Sequence, residues 1–486
     1  MALLWEVFSS FAMHSDWRRQ SWEFIDELGC RVQAVDGSIR KSTLENGLRV
    51  ITQGLPGVRS TALGVLVDVG SANEPDHLAG ISHLCEHLVF QGTSNRSALE
   101  ISRLMDGAGG RVGGFTTRDY TCYFALVLGD YLTYAVDLLG DLLLNPVFPE
   151  DALAHQKGAV LCEIEAAADS PSALCHDLMK AIAWPDHPLG RPLTGTARTV
   201  GAIGREDLIY FLHDHYLPNR IIVSAAGALD HDDVVACVRD AFWRLLGERP
   251  PQPAPSLAVV QSGVRLRTHG GSQAYFSLAF EAPAYTAPER YMMHALAQVF
   301  GGGLSSRLFR SLREEQGWVF DVSASYQAYR DGGLFVVEGS TVPENLMPVL
   351  GRIYDSIEGL ASWTEPIDAD EMARFKTQLK AQILLAGEDT HSVMSRLATQ
   401  ELYFGHFETE IQTLVHLESI DEQSMERFLG PLLEAGLPRP ALAVVAPDRP
   451  SCYDQNALEA FVAERRGNFS VKNQGQEHPP AVASIQ

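Results

Sequence analysis

The stretch H-L-C-E-H at residues 83–87 places two imidazoles and one carboxylate within about one and a half turns of a helix. In a helix, His83 and His87 are four positions apart and share one face, and Glu86 falls on the same face. Two imidazoles at this spacing can bind one metal ion, and a neighbouring carboxylate can accept a proton from a metal-bound water. The order H-x-x-E-H therefore predicts a helical metal site that activates water.

The alternative interpretation of this short motif is a pair of surface histidines with a glutamate partner. The flanking sequence favours the metal site, because residues 80–90 predict a helix that is apolar on most sides. Histidines and a glutamate are costly to bury in such a helix unless they find partners. Cys85 faces roughly opposite His83, so we interpret it as a small core residue and not as a ligand.

A catalytic zinc site takes three protein ligands and leaves one position open for water. The third ligand must therefore come from another part of the chain. The best candidate lies in the run V-L-C-E-I-E-A at 160–166, which contains Glu163 and Glu165. These two carboxylates are two positions apart and cannot both face the metal. The spacing alone does not choose between them.

Several further segments resemble the pitrilysin-type (inverzincin) zinc metallopeptidases, a family that includes mitochondrial processing peptidase, insulin-degrading enzyme and many bacterial relatives. The chain looks most like the bacterial members that are similar to the processing peptidase. The resemblance spans most of the 486 residues. It is carried by T-L-E-N-G-L-R-V at 43–50, G-V-L-V-D-V-G-S at 64–71, the metal helix, T-T-R-D-Y-T at 116–121, H-P-L-G-R at 187–191 and Y-L-P-N at 216–219.

The resemblance implies the ligands, the cofactor and the activity. It places Glu163 at the position of the family's distal glutamate, which leaves Glu165 as a solvated helix residue. One Zn²⁺ per chain would be held by His83, His87 and Glu163, with Glu86 as the general base. The implied activity is that of a zinc-dependent endopeptidase that hydrolyses peptides or processes leader- or signal-like segments through a metal-activated water. The alternative is a non-catalytic peptide-binding or scaffolding subunit that needs a partner.

The resemblance also implies four substrate-binding positions, and three of them depart from the family pattern. Arg313 matches the arginine of an arginine–tyrosine pair that helps to hold substrate, but Phe320 stands where the tyrosine is expected. Losing one such donor can cost on the order of a hundredfold in rate. Gly113 and Gly114 replace an Asn-Ala pair on the edge strand that contacts substrate, and two glycines give a looser strand.

Three other residues complete the comparison with the family. Tyr326 and Tyr329 are candidates to supply the hydroxyl that Phe320 lacks, and the sequence favours neither. Gln156 occupies the place of a second glutamate, two helical turns before Glu163. The zinc ligands and the base are unchanged by these departures.

The predicted fold class is α+β, built from two homologous α/β modules that each contain a sheet and helices. The segments I-I-V-S-A-A-G at 221–227 and P-A-L-A-V-V-A at 440–446 end the two halves in a similar way, which indicates a duplication. The resemblance implies that the modules form a clam-like peptide chamber. The predicted domains are an N-terminal extension (1–40), the metallopeptidase module (41–248), a Pro-rich linker (249–262), a second module with a Gly-rich loop and Arg313 (263–450), and a C-terminal tail with a disordered end (451–486).

Charge and cysteine content narrow the class of protein. The formal net charge of −23 argues against nucleic-acid binding. An acidic chamber would favour cationic peptides, while a solvated acidic surface would only aid solubility. The seven cysteines show no C-x-x-C spacing, so we expect no disulfide framework and a reducing compartment. Cys162, next to Glu163, is interpreted as a packing residue.

The first thirteen residues are apolar and contain Trp5, Phe8 and Phe11, a spacing that suits an amphipathic helix. Without a basic region and with Glu6 present, the segment does not predict a secretory signal, and it is too short to span a membrane. We therefore expect a cytoplasmic bacterial protein with no membrane span. The resemblance implies a homodimer, or a heterodimer with a sister subunit, that binds peptide substrate.

Overall fold

Two mixed β-sheets form the framework of the chain in the computed structural model, which describes residues 22–25, 31–35, 39–247, 257–434, 440–449 and 451–472. The amphipathic segment predicted at residues 1–13, the Pro-rich stretch at 249–255 and the end of the tail after residue 472 lie outside these ranges. Within the described residues, no helix is both long and apolar enough to cross a bilayer.

The first sheet has eight strands in the order β1-β2-β3-β4-β8-β5-β7-β6. Every neighbouring pair is antiparallel except β4 and β8, which are parallel. Strand β6 lies at the end of the order and forms one edge of the sheet. The strands are β1 (Trp22–Ile25), β2 (Arg31–Val35), β3 (Ile39–Thr43), β4 (Arg49–Gly54), β5 (Ser60–Val67), β6 (Arg111–Thr116), β7 (Thr121–Leu128) and β8 (Ile221–Gly227).

The second sheet has five strands in the order β11-β12-β10-β13-β9, with β13 and β9 parallel. Read from its parallel pair outward, it repeats the order β4-β8-β5-β7-β6 of the first sheet, strand for strand along the chain. This repetition confirms the predicted duplication of an α/β module. The strands are β9 (Gly263–Thr268), β10 (Ala274–Ala282), β11 (Val319–Ala328), β12 (Gly333–Thr341) and β13 (Ala441–Ala446).

Helices cover both sheets and connect their strands. The α-helices are α1 (Ile81–Val89), α2 (Ala98–Gly107), α3 (Leu132–Leu144), α4 (Glu150–Asp169), α5 (Pro171–Ala183), α6 (Ala197–Ala202), α7 (Arg205–His215), α8 (His231–Phe242), α9 (Arg290–Gly301), α10 (Leu346–Ala361), α11 (Ala369–Gly387), α12 (Thr390–Phe404), α13 (Glu410–Glu418), α14 (Glu422–Glu434) and α15 (Gln455–Lys472). A π-helix spans Phe309–Glu315. Short 3₁₀ helices lie at Ser71–Asn73, Asp76–Leu78, Gly129–Tyr131, Pro188–Gly190, Pro218–Arg220 and Pro343–Asn345.

One helix from each module packs on the sheet of the other module. Helix α5 follows α4 in the first module but packs on β9, β10 and β13, where Met179 joins a buried cluster with Val336 and Ala443. Helix α12 follows α11 in the second module but packs on β4, β5 and β8, where Met394 and Leu397 are fully buried. The two exchanged helices therefore bind the modules together through their cores.

Helix α12 approaches the first sheet so closely that strand β5 needs a glycine. A Cβ atom at Gly64 would overlap Met394 Sδ. At the far end of α12, the buried carboxylate of Glu401 accepts hydrogen bonds from Lys41 Nζ on β3 and Arg49 Nη1 on β4. A buried carboxylate with two cationic donors fixes the helix on the sheet, because leaving it unpaired would be costly.

Two predicted boundaries differ from the elements that the structure contains. The start of the first module at residue 41 falls inside β3, and strands β1 and β2 extend the sheet before it. The segment predicted as a C-terminal tail begins with helix α15, which packs against β9. Strands at a sheet edge and elements at the ends of the chain carry weak sequence signals compared with central elements.

Candidate metal centre

The N-terminus of helix α1 is fixed by a glycine and by a buried carboxylate. Gly80 precedes the helix with φ +96°, and a Cβ there would lie 2.5 Å from Thr194 O. The buried Glu74 carboxylate accepts hydrogen bonds from the backbone N–H groups of Gly80 and Ser82, each at 2.7 Å. A carboxylate at this end satisfies free N–H groups and complements the helix dipole. Burial raises the pKa of Glu74 to about 7.

Sequence reasoning missed Glu74. It lies six residues before the first N–H group it caps, beyond the spacing of the usual capping patterns. The Glu-Pro pair at 74–75 is a turn signal, but it does not say where the side chain of Glu74 goes.

Helices α1 and α4 bring three ligands together. His83 Nε2 lies 3.5 Å from Glu163 Oε2, and His87 Nε2 lies 3.7 Å from Glu163 Oε1. One ligand atom from each residue falls within 4.8 Å of the others. Two imidazoles and one carboxylate are a known donor set of catalytic zinc, which leaves a position for water. The residues present therefore fit the predicted metal, and Glu165 is exposed outside the group.

The imidazole of His87 is oriented by Gln156 on α4. The side-chain oxygen of Gln156 lies 3.2 Å from His87 Nδ1. With Nδ1 protonated, the ring donates to this oxygen and leaves the Nε2 lone pair free on the side of Glu163. The family's glutamate is replaced here, but the hydrogen-bond acceptor is kept.

The electrostatics of the group suit metal binding and base chemistry. Burial, followed by the neighbouring His87, lowers the pKa of His83, which favours the neutral ring that ligates metals. Burial raises the pKa of Glu86, and the hydrogen bond from Thr116 works against that rise. A carboxylate with a raised pKa is a better proton acceptor at neutral pH.

The two cysteines beside the metal group, which consists of His83, His87 and Glu163, differ in their burial. Cys85 is fully buried on the core side of α1, as the sequence predicts. Cys162 is exposed, so its interpretation as a packing residue is wrong. Only Leu153 and Val160 are fully buried on α4, among the residues that the structure describes, and the other faces of this helix have little to pack against.

The predicted substrate-binding residues lie in two separate places. Gly113 and Gly114 are in the edge strand β6, where a Cβ at Gly114 would lie 2.8 Å from Glu86 Cγ. Arg313 is exposed in the π-helix of the second module, with its guanidinium carbon 5.4 Å from the centre of the Phe309 ring. Phe320 is half exposed at the start of β11. No contact within the described residues joins Arg313 or Phe320 to the metal group.

The two tyrosines considered as replacements for Phe320 both use their hydroxyls elsewhere. Tyr326 donates to Pro283 O at 2.7 Å. Tyr329 accepts a hydrogen bond from the buried Lys180 Nζ at 3.0 Å. Neither hydroxyl is directed to the metal group in this structure.

Two family models match consecutive stretches of the chain. A model described as "Insulinase (Peptidase family M16)" matches residues 49–197, and one described as "Peptidase M16 inactive domain" matches residues 202–379. The fold and the candidate site thus define the class of pitrilysin-type zinc metallopeptidases, and the predicted resemblance is confirmed. The chain belongs to the insulinase family, peptidase family M16.

Bacterial relatives cover most of the chain. An uncharacterized zinc protease of Mycobacterium tuberculosis is 36% identical over 398 residues, which are 81% of this chain and 90% of the relative. One from Streptomyces coelicolor is 34% identical over 418 residues, covering 85% and 90%. The uncharacterized zinc protease YmxG of Bacillus subtilis is 32% identical over 411 residues, covering 84% and 98%. The chain is thus similar to bacterial zinc proteases over nearly their full length.

Solved structures share the fold at low sequence identity. A protease from Helicobacter pylori aligns with a TM-score of 0.77 at 21% identity, covering 84% of this chain and 99% of that one. A peptidase M16 inactive domain from Pseudomonas fluorescens gives a TM-score of 0.77 at 17% identity, covering 85% and 98%. A chain of complex III2 from Candida albicans gives 0.73 at 18%, covering 87% and 99%. These likenesses confirm the two-module α/β fold.

Proposed function

We propose that this chain is a zinc-dependent endopeptidase with one zinc ion per chain. The observation that carries the proposal is the convergence of His83 Nε2, His87 Nε2 and the Glu163 carboxylate, with Glu86 on the same helix as the histidines. When bound, zinc would lower the pKa of a water ligand and polarise a carbonyl. The half-exposed Glu163 leaves the group open to solvent on one side, which a hydrolytic site needs.

Glu86 would carry the protons of the reaction. Its carboxylate takes a proton from the attacking water while the water oxygen bonds to the carbonyl carbon of the peptide. It then gives that proton to the nitrogen of the leaving amine as the C–N bond breaks. Burial raises the pKa of Glu86, which makes its carboxylate a better acceptor for the proton of the water.

The edge strand β6 is the proposed platform for the peptide. Among the strands that the structure describes, none pairs with its outer edge, and an extended peptide can add to such an edge through backbone hydrogen bonds. Gly113 and Gly114 carry no side chains to obstruct it. Because Gly114 lies beside Glu86, a peptide bound along β6 would pass the base. Leader-like or unfolded segments are the substrates that could adopt this extended form.

We further propose that the active form is a dimer, either of two copies or with a sister subunit. The positions of Arg313 and Phe320 support this, since neither joins the metal group within the described residues of one chain. A partner could present such residues across a peptide chamber. Light scattering of the purified protein, alone and with candidate sister subunits, would measure the assembly.

The proposed activity is tested by zinc analysis together with mass spectrometry of peptide digests. We expect one zinc per chain, and fragments of unstructured peptides that wild type produces and Glu86→Gln does not. Internal cleavage sites would distinguish an endopeptidase from an enzyme that trims ends. Bound zinc without cleavage, even with partner subunits added, would contradict the proposal and favour the scaffolding subunit.

A further inference from the structure

The carboxylate of Glu86 is held by the edge strand and not by its own helix. Thr116, the last residue of β6, donates a hydrogen bond from Oγ1 to Glu86 Oε2 at 2.7 Å. No other hydrogen bond to this carboxylate comes from the described residues. A glutamate side chain has several freely rotating bonds, so this contact decides where the carboxylate lies.

Gly114 provides the space that this contact requires. A Cβ there would lie 2.8 Å from Glu86 Cγ and 3.3 Å from both Cδ and Oε1, closer than side chains pack without displacement. Alternation along a strand puts Gly114 and Thr116 on the same face of the sheet. Gly113 faces the other way, where its Cβ would meet Phe124 Cζ at 3.2 Å. Strand β6 therefore offers a gap and a donor to one side chain.

We propose that Thr116 is a positioning residue for Glu86, and that Gly114 supplies the gap through which Glu86 reaches it. The expected rate effect rests on the function proposed above, whereas the expected position of the carboxylate does not. A displacement of about 1 Å in a reacting group can cost on the order of a hundredfold in rate. Because the same strand would pair with the peptide, β6 would position both the Glu86 carboxylate and the scissile bond.

The first test is structural and needs no activity. Crystal structures of wild type, Thr116→Val and Thr116→Ser would show the position of the Glu86 carboxylate. We expect a hydrogen bond from residue 116 to Glu86 in wild type and in Thr116→Ser, and a carboxylate turned away in Thr116→Val. A Glu86 side chain in the same place in Thr116→Val would overturn the proposal, whether or not the chain cleaves peptides.

The second test separates a positioning role from a structural one. Thr116→Val should lower kcat about 10- to 100-fold while KM and the zinc content stay unchanged. Thr116→Ser, which keeps the hydroxyl, should recover most of that loss. Equal kcat in Thr116→Val and wild type would reject the positioning role, and so would equal losses in both variants. A zinc-loaded wild type that cleaves nothing would instead reject the proposed function.

The third test uses the two neighbouring glycines. Gly114→Ala should displace Glu86 from Thr116 in a crystal structure, because the new methyl group meets Glu86 Cγ. Gly113→Ala adds the same methyl group to the same strand on the opposite face, so the Glu86–Thr116 hydrogen bond should persist. An unmoved Glu86 in Gly114→Ala would refute the role given to the gap.

Discussion

The two modules share a strand order but differ in what they place between corresponding helices. Helix α1 packs on β6 and α4, and helix α9 packs on β11 and α11, which hold the corresponding places in the second module. Between α1 and α4 lie the candidate zinc ligands. Between α9 and α11, Gln298 Nε2 donates to Gln378 Oε1 at 2.8 Å. The same framework thus carries the candidate zinc ligands in one module and a pair of amide side chains in the other.

The carboxylates on the two long helices show the same contrast. Glu163 on α4 is half exposed and faces two imidazoles. Glu371 on α11 is largely buried and accepts two hydrogen bonds from the guanidinium of Arg307, at 2.9 and 2.7 Å. A carboxylate held by two guanidinium hydrogen bonds is not available to a metal, whereas one that faces two imidazoles is. The chemistry therefore depends on a few side chains and not on the fold.

The largest expected effect is the loss of the metal on removal of its acidic ligand. Glu163→Gln should abolish stoichiometric zinc binding and reduce peptide cleavage to background, because two imidazoles alone leave the ion incompletely held. Zinc content by mass spectrometry and a peptide-cleavage assay measure both. Glu165→Gln, an exposed neighbour on the same helix, is the control and should keep both properties. Full zinc binding by Glu163→Gln would show that Glu163 is not a ligand, and the contrast with the arginine-paired Glu371 would then have no chemical consequence.

The next effect separates the base from the ligands. Glu86→Gln should keep one zinc per chain and lower turnover by about 100- to 10,000-fold, since the amide cannot accept the proton. Parallel zinc analysis and kinetics test this. Loss of zinc together with activity would show that Glu86 supports the metal and not only the proton transfer.

A smaller effect on zinc affinity is expected from the hydrogen bond between Gln156 on α4 and His87 on α1. Gln156→Leu removes the acceptor for His87 Nδ1 and should weaken zinc affinity about 10- to 100-fold. Competition with a chelator would measure it. Gln378→Leu breaks the corresponding amide pair in the second module and should leave zinc affinity unchanged. Similar losses in both variants would mean that helix packing, and not ring orientation, controls the affinity.

The smallest effect concerns the exchanged helices. Each exchanged helix buries an apolar face and one charged residue. Glu401 on α12 is paired with Lys41 and Arg49, whereas the pKa of Lys180 on α5 is lowered to about 7 by burial and then by Arg118. The unfolded chain has the ordinary, higher lysine pKa, so it binds more protons than the folded chain between pH 7 and about 10.5. The cost of burying Lys180 is complete below pH 7 and declines as the pH rises through this window.

Lys180→Met should therefore stabilise the protein most at low pH. We expect a gain of roughly 1–3 kcal/mol in the free energy of unfolding at pH 6, which shrinks towards pH 10. Urea unfolding at both pH values measures it, with Lys380→Met at an exposed position as the control. A gain that does not change with pH would mean that packing, and not charge, accounts for the difference.

The sequence predicted the parts of the site that are local or shared with relatives. The two histidines and Glu86 form one helical face, so their spacing was sufficient. Glu163 needed the family resemblance, because spacing could not separate it from Glu165. Thr116 and Glu74 could not be predicted as partners of α1, since each reaches it through tertiary contacts that no local pattern encodes.

The same limit applies to the fold. The duplication could be predicted from the similar strands β8 and β13, which have strong apolar runs. The exchange of α5 and α12 could not, because an apolar helix face does not say which sheet it will cover. Cys162 was interpreted as a packing residue because it points away from Glu163 around the helix, but the structure leaves this side of α4 exposed.

The position of α12 late in the chain has a consequence for biosynthesis. The face of the first sheet that receives Met394 and Leu397 is completed by residues made long after its last strand, β8, has left the ribosome. The nascent first half would carry an uncovered apolar surface until almost the whole polypeptide is available. Folding during translation should therefore finish in one late step, and truncated products are expected to be aggregation-prone clients of chaperones.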